Sequence, residues 1–123
     1  MKHENNSKTR ELVDSVVEGI QEKKGRAISV LDMRELDDAI CDYMVIAEAN
    51  TPIQLEAMEE SVAETTKERL DEKPQYRHKG DGRWIALDYI TVMIHLMTPE
   101  MRDYYKIEQL WSDADIEHLQ DIN

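Results

Sequence analysis

The feature of this sequence that most constrains its fold is a nearly uninterrupted apolar run, Tyr43-Met44-Val45-Ile46-Ala47. A strand with one face in water alternates apolar and polar residues, whereas a strand covered on both faces is apolar at almost every position. The run therefore predicts a central strand with packed layers on both sides. A helix start follows, because Thr51 is a good N-cap, Pro52 fits the first helical position and Gln54 completes a capping box.

The spacing of apolar residues divides the rest of the chain into helices and strands. It predicts a first helix over about Ser7–Lys24, which Gly25 ends in a left-handed conformation, while the second helix ends before Pro74. Thr98 and Pro99 open a third helix by the same combination of cap and proline. The remaining strands are predicted at Ala27–Asp32, Gln75–His78, Trp84–Asp88 and Val92–Met97. The last two are close enough in sequence to form an antiparallel hairpin.

The resulting order, α-β-β-α-β-β-β-α, predicts an α/β (α+β) fold in which helices pack on a mixed five-stranded sheet. The chain has 123 residues, the length of one domain, so we expect a single domain with its core at about residues 7–113. The two ends, Met1–Asn6 and Asp115–Asn123, are expected to be loose.

The balance of charges narrows the classes of partner. Lys and Arg number 15 against 27 Asp and Glu, which gives a formal net charge of -12. Such a chain repels phosphates, so we expect little direct nucleic-acid binding, and we expect basic proteins to be attracted to it. The plainer interpretation is that the charge only maintains solubility. The first eleven residues do not have the pattern of a signal peptide, so we expect none, and no apolar run approaches membrane-spanning length. Cys41 is the only cysteine. These features predict a cytoplasmic protein that does not bind membranes.

The usual catalytic motifs are missing from the sequence, beginning with the glycine-rich phosphate loops. Cys41 lies beside Asp42, whose carboxylate disfavours a thiolate, so a buried thiol is expected rather than a nucleophile. The histidines are scattered and none has zinc-ligand spacing: His3, His78, His95 and His118. Asp113-Ala114-Asp115 lies near the C-terminus, and the aspartates that flank strands, Asp32, Asp42 and Asp88, more often serve turns than metal ions. We therefore predict no catalytic residue, metal site or cofactor.

Two separate blocks of the sequence carry a recognisable pattern. The first is Asp42-Tyr43-Met44-Val45-Ile46-Ala47, followed by Asn50-Thr51. The second is Trp84-Ile85-Ala86-Leu87-Asp88-Tyr89, then Val92-Met93-Ile94-His95, then Met101-Arg102-Asp103-Tyr104-Tyr105-Lys106-Ile107-Glu108-Gln109-Leu110-Trp111. The pattern covers roughly Ala27 to Asp113 and resembles that of the ribosomal silencing factor (Iojap-like) family.

The resemblance implies a fold similar to that of nucleotidyltransferases, but without their catalytic residues. It also implies a non-enzymatic translation repressor that binds a basic ribosomal protein on the interface side of the large ribosomal subunit. Bound there, the factor would block joining of the small subunit and lower translation when nutrients are limiting. Two alternatives stay open: a residual metal-dependent nucleotidyltransferase-like enzyme, and a homodimeric protein-binding adaptor.

The chain departs from the family pattern at a few positions. The family's Asp-Tyr-Gly-Asp turn is replaced by Asp88-Tyr89-Ile90-Thr91, and a β-branched residue resists the positive φ that glycine tolerates. We therefore expect this hairpin to turn with another geometry. The family's phenylalanines are replaced by Met44 and Met97, which predicts a core packed with methionine.

A protein that works by docking should display rigid aromatic side chains among charges that complement its partner. The hairpin and the last helix supply such residues: Trp84, Asp88, Tyr89, His95, Arg102, Tyr104, Tyr105, Glu108 and Trp111. Asp88 and Glu108 are expected to meet a Lys or Arg of the partner. Arg102 serves the same surface or, alternatively, holds Asp88 or Glu108 in an internal ion pair.

The other members of this set have structural alternatives. Tyr104 and Tyr105 diverge by about 100° on a helix, so one is expected to pack inward and the other to face outward. For Trp84 and Trp111, core packing is as good an interpretation as interface contact. His95 interrupts an apolar strand, where a core or sheet-surface histidine is the more common occurrence.

Overall fold

The computed structural model describes residues 6–122. Its helices are α1 (Asn6–Glu22), α2 (Pro52–Leu70), α3 (Pro99–Tyr105) and α4 (Ile107–Leu110). Its strands are β1 (Arg26–Asp32), β2 (Tyr43–Glu48), β3 (Tyr76–His78), β4 (Trp84–Asp88), β5 (Val92–Met97) and β6 (Asp115–His118). Residues 1–5, which include His3 and most of the segment expected to be loose, lie outside the described residues, as does Asn123.

The strands form one mixed sheet in the order β3-β4-β5-β2-β1-β6. Strands β2 and β5 pair in parallel, with Tyr43 opposite Val92, and the other neighbours are antiparallel. Strand β2 therefore lies inside the sheet, and Tyr43–Ala47 is buried throughout. The prediction of a central strand covered on both faces is confirmed, as is the α/β class. The expected number of strands was too low by one, because the sheet has six.

Each face of the sheet carries its own apolar cluster. On one face α1 and α2 pack over side chains such as Val45, Leu87 and Ile94. The other face holds a smaller cluster of fully or nearly buried side chains: Leu31, Met33, Cys41, Met44, Ile46 and Met97. The predicted methionine-packed core is confirmed there. It is this second face that positions the candidate site.

The end of α1 differs from the prediction in which residue takes the left-handed conformation. Lys24 has φ 60°, whereas Gly25 is not among the residues with positive φ. Gly25 is needed for space, because a Cβ at this position would lie 2.3 Å from Cγ2 of Ile20 and 2.8 Å from Cε of Met58. The sequence correctly indicated a requirement for glycine at position 25, but the requirement comes from close packing and not from a left-handed backbone.

The C-terminal segment that we expected to be loose contains strand β6, so that prediction was wrong for Asp115–His118. This strand pairs with β1, and Ile116 and Leu119 reach the two apolar clusters. The main-chain N–H of Leu119 donates to Ile28 (2.9 Å), and Asp121 accepts a hydrogen bond from Ala27 (2.8 Å). The strand is short and mostly exposed, so its own sequence contains little sign of the pairing that orders it.

The β4–β5 hairpin turns through the left-handed conformation that we expected the sequence to avoid. Ile90 has φ 73° although it is β-branched. The turn is fixed by Asp88, whose Oδ1 accepts the Ile90 N–H at 2.7 Å, and by the Tyr89 N–H, which donates to the Val92 carbonyl at 2.9 Å. The expectation that Ile90 avoids a positive φ was wrong, because local hydrogen bonds hold it in a conformation usually left to glycine.

Candidate functional site

The second face of the sheet is covered over β1 and β2 but open over β3 and β4. Side chains of α3, α4 and the 33–42 connector pack on the covered part, among them Met101, Ile107 and Trp111. Beyond them the register places Tyr76 opposite Asp88, and Asp88 opposite Met93. Tyr76 is 61% exposed, and Asp88 and Met93 are half-buried. We call Tyr76, Ala86, Asp88 and Met93 the open sheet face.

Three aromatic rings border the open sheet face, and we call Trp84, Tyr104 and Tyr105 the aromatic ridge. The centroids of Trp84 and Tyr105 lie 4.7 Å apart, and Tyr104 meets Tyr105 edge-on at 5.0 Å. Tyr104 is 77% and Tyr105 49% exposed. The expectation that one tyrosine packs inward was therefore wrong, because Tyr105 leans on Trp84 at the surface instead of entering the core.

Trp84 is anchored from below by His95. The indole Nε1–H donates to Nδ1 of His95 at 3.0 Å, and the two rings lie 5.7 Å apart. Indole nitrogen is only a donor, so His95 must accept through Nδ1 and carry its own proton on Nε2. Burial lowers the pKa of His95 to about 4, which keeps the ring neutral at pH 7. His95 therefore lies beneath the surface and holds Trp84 in position.

Arg102 lies at the centre of an internal polar network. Its Nε and Nη2 donate to the two oxygens of Glu108, both at 3.0 Å. Nη1 also donates to the carbonyl of Ala27 (2.6 Å) and to Glu48 (3.1 Å), while Nη2 reaches the hydroxyl of Ser29 (3.0 Å). The predicted internal ion pair of Arg102 thus forms with Glu108 and not with Asp88. The arginine fastens α3 and α4 to β1 and β2.

Glu108 is engaged by this network, so its carboxylate does not point freely towards a partner. Besides Arg102 it accepts a hydrogen bond from the hydroxyl of Ser29 at 2.6 Å. Burial raises the pKa of Glu108, but the hydrogen bonds from Arg102 and Ser29 outweigh that effect and leave the pKa below its usual value. Glu108 is therefore a stabilising anion of the fold.

Tyr89 and Asp88 hold the β4–β5 hairpin in place, and Tyr89 is not exposed. Tyr89 is only 5% exposed, and its hydroxyl makes a 2.8 Å hydrogen bond with that of Thr66 on α2. Burial raises the pKa of the Tyr89 phenol. The expectation that Tyr89 faces outward was wrong, because its ring points to the helix-covered side. Asp88 stays half-buried at the edge of the open sheet face.

Trp111 and three residues that were not predicted from sequence also lie on this side of the molecule. Trp111 is partly buried against the second cluster, so it serves packing and leaves an edge at the surface. Sequence reasoning missed Tyr76, Met93 and Leu110, of which Leu110 is 75% exposed. Two signals were available: Tyr76 lies in a predicted strand, and Leu110 adjoins Trp111 within the matching block.

The described residues contain little that resembles catalytic machinery. Within residues 6–122 no three His, Cys, Asp or Glu side chains come together as a metal site, and no helix there is long and apolar enough to cross a membrane. Cys41 is buried, which raises the pKa of its thiol to about 11 and disfavours a nucleophile. Asp32 is bound by Arg34 at 2.7 Å. What the site offers is a mixed aromatic and acidic surface on a rigid support.

Comparisons with known proteins agree on one family. Residues 6–123 match the family model described as "Ribosomal silencing factor during starvation". Ribosomal silencing factor RsfS of Halalkalibacterium halodurans is 26% identical over 113 residues, which cover 92% of this chain and 96% of that protein. A mouse protein named "Mitochondrial assembly of ribosomal large subunit protein 1" is 28% identical over 81% of this chain and 45% of its own length. A crystal structure from Chromobacterium violaceum superposes with a TM-score of 0.78 at 30% identity, covering 84% of this chain and 85% of that one.

Proposed function

Because the chain belongs to the ribosomal silencing factor family, we propose that it represses translation by binding the large ribosomal subunit and blocking the joining of the small subunit. The family consists of ribosome-associated regulators rather than enzymes, so the output is obstruction and not chemistry. The name of the mouse relative refers to the large ribosomal subunit, which supports the choice of subunit. In this proposal the repression operates in the cytoplasm under nutrient limitation.

The observation that carries the proposal is the aromatic ridge beside the open sheet face. Exposed aromatic rings held on a rigid support are the side chains that most often dominate binding energy at protein interfaces. Trp84 is fixed by His95, and Tyr105 packs against Trp84 with the two rings tilted by 48°, so little side-chain entropy is lost on docking. A free surface of this kind is unusual unless a partner covers it.

The charges near the ridge indicate a basic partner. Asp88 lies on the open sheet face and Glu100 is exposed on α3, whereas the exposed Asp103 is paired with Lys106 at 3.5 Å. Together with the net charge of -12, they favour a cationic protein over RNA, whose phosphates they would repel. We infer that the contact is a basic ribosomal protein on the interface side of the large subunit.

The nine residues selected from the sequence take two different roles in this proposal. Trp84, Asp88, Tyr104, Tyr105 and Trp111 would touch the partner. The others would act from within, where His95 positions Trp84, Tyr89 fixes the hairpin, and Arg102 with Glu108 fastens the two short helices.

Co-sedimentation with purified large subunits tests the surface. We expect Tyr105→Ala to weaken binding about 30-fold, which corresponds to the ~2 kcal/mol of a typical hot-spot residue. Tyr104→Ala should have a smaller effect, because its ring makes fewer contacts within the chain. Ile53→Ala is the control, since Ile53 is 83% exposed on α2, on the opposite face of the sheet. Equal binding by the Tyr105 variant and the control would place the docking surface elsewhere.

A further inference from the structure

A groove that the proposed docking surface does not use lies between the 33–42 connector and the β4–β5 turn. It has a volume of about 200 Å³. Its lining is mixed: Met33, Ala39, Ile40, Cys41 and Ile90 contribute apolar atoms, and Arg34, Asp42 and Thr91 contribute polar ones. Ile90 lies at the turn end of β4 and Trp84 at its other end, so the groove and the aromatic ridge are separate features of one hairpin.

Two isoleucines stand exposed at this groove. Ile40 is 63% and Ile90 55% exposed, so neither side chain contributes much to the core. Ile90 also holds φ 73°, a conformation that is strained for a β-branched residue and relaxed for glycine. An apolar, strained and exposed residue lowers the stability of the fold and adds little burial. Its side chain is better explained by a contact outside the chain.

The rim of the groove is acidic. Asp42 lines it, and Asp37 and Asp38 are exposed immediately before the lining residue Ala39. Burial, and to a smaller degree the carboxylate of Asp42, raise the pKa of the Cys41 thiol, so this thiol stays uncharged beside the rim.

The cation that lines the groove is already neutralised. Arg34 donates two hydrogen bonds to Asp32, from Nε at 2.9 Å and from Nη2 at 2.7 Å. Two exposed isoleucines, Ile40 and Ile90, beside a negative rim fit an apolar side chain flanked by Lys or Arg, and the rim repels nucleic-acid phosphates.

We propose that this groove is a second docking site, which takes an apolar side chain flanked by basic residues on a protein of the large ribosomal subunit. The proposal rests on the proposed function, because it names a ribosomal protein as the occupant. It adds a contact at the opposite end of the hairpin from the aromatic ridge. Two contacts at the two ends of one hairpin would fix the orientation of the factor on the subunit.

The variant Ile90→Gly tests the groove, because the stability of the fold should rise while the affinity for large subunits should fall. Glycine relieves the positive φ, so we expect the Tm to rise by roughly 3 °C. It also removes the docking side chain, so the affinity for purified large subunits should fall about tenfold. Ile40→Ala should weaken binding to a similar degree. Ile53→Ala removes an even more exposed apolar side chain, from α2, and should bind like the unchanged protein.

The outcomes separate this inference from the proposed function. If the Ile90 and Ile40 variants bind like the unchanged protein while Tyr105→Ala is weakened, the groove is no docking site and the proposed function stands. If the unchanged protein does not bind large subunits, both are refuted. A lower Tm for Ile90→Gly would assign the side chain to the fold and would also overturn the inference.

A further variant in the same binding experiment tests the acidic rim. The double variant Asp37→Asn with Asp38→Asn should weaken binding about threefold at low salt, and the difference should shrink as salt is raised. Tighter binding by this variant would indicate that the rim faces RNA phosphates, and it would refute the assignment to a basic protein.

Discussion

Replacing Arg102 with methionine should destabilise the fold strongly, although the sequence alone left open whether this residue serves the docking surface or an internal ion pair. Methionine keeps most of the length of the side chain but removes the guanidinium. Glu48 and Glu108 then lose the cation that binds them, at side-chain exposures of only 19% and 25%. Ser29 and the carbonyl of Ala27 lose donors as well.

The expected magnitude follows from this geometry. Breaking a fully buried ion pair by removing one partner costs about 3–5 kcal/mol. Both carboxylates keep some contact with water, so the lower end is appropriate and we expect a loss of about 3 kcal/mol. For a domain of this size such a loss lowers the Tm by roughly 10 °C.

The pH dependence of the loss adds a second signature. The pKa of Glu108 is lowered in the folded chain, so its contribution is present above the usual carboxyl pKa and disappears as the pH falls through the folded value. Without Arg102, burial would raise that pKa instead. The difference in stability between the two proteins should therefore be largest at pH 7 and should shrink by about 1 kcal/mol below pH 4.

Urea denaturation at several pH values measures both effects. The matched control is Arg69→Met, since Arg69 and Glu18 form an ion pair at side-chain exposures of 60% and 46%. Such an exposed pair is worth less than about 1 kcal/mol, so this variant should unfold almost like the unchanged protein. If Arg102→Met were no less stable than Arg69→Met, the description of Arg102 as an internal fastener would be refuted.

Three further predictions concern the support beneath the site. The pKa of His95 is about 4 in the folded chain and 6.5 in the unfolded chain, so its neutral form stabilises the fold fully above pH 6.5, and the free energy of unfolding should fall by about 2 kcal/mol between pH 7 and pH 5. In urea titrations His95→Gln should flatten this pH dependence, and an unchanged pH dependence would contradict the assignment. Tyr89→Phe removes the bond to Thr66 and should cost about 1 kcal/mol in unfolding free energy, with unchanged binding to large subunits; weaker binding would return Tyr89 to the interface. Ending the chain after Asp113 deletes β6 and exposes the edge of β1, so light scattering should detect aggregation at lower temperature; equal thermal behaviour would mean that β6 is dispensable.

The parts of the fold that could be predicted from sequence are those encoded by neighbouring residues. The central strand β2 is apolar at every position from Tyr43 to Ala47, and the starts of α2 and α3 each combine a threonine cap with a proline. These signals act within a few residues, so one sequence is enough to find them. Strand β6 was missed because its order depends on β1, more than 80 positions away in the chain.

The same distinction applies to the candidate site. The matching sequence blocks identified the aromatic ridge and the neighbouring charges, because the residue types themselves carry the signal. They left open whether Arg102 would pair with Asp88 or with Glu108. They did not predict that Arg102 would reach Ser29, or that Tyr89 would reach Thr66. Those contacts join residues that are distant in sequence, and only the packed structure decides which side of an element a side chain occupies.

The central claim is that this protein uses its aromatic ridge to prevent the two ribosomal subunits from joining. An assay of subunit joining measures this most directly. Purified small and large subunits would be mixed while light scattering follows the formation of whole ribosomes. We predict that a stoichiometric amount of the protein suppresses the scattering increase, and that Tyr105→Ala restores most of it. Ribosome formation that proceeds at the same rate and to the same extent with the unchanged protein in excess would contradict the claim.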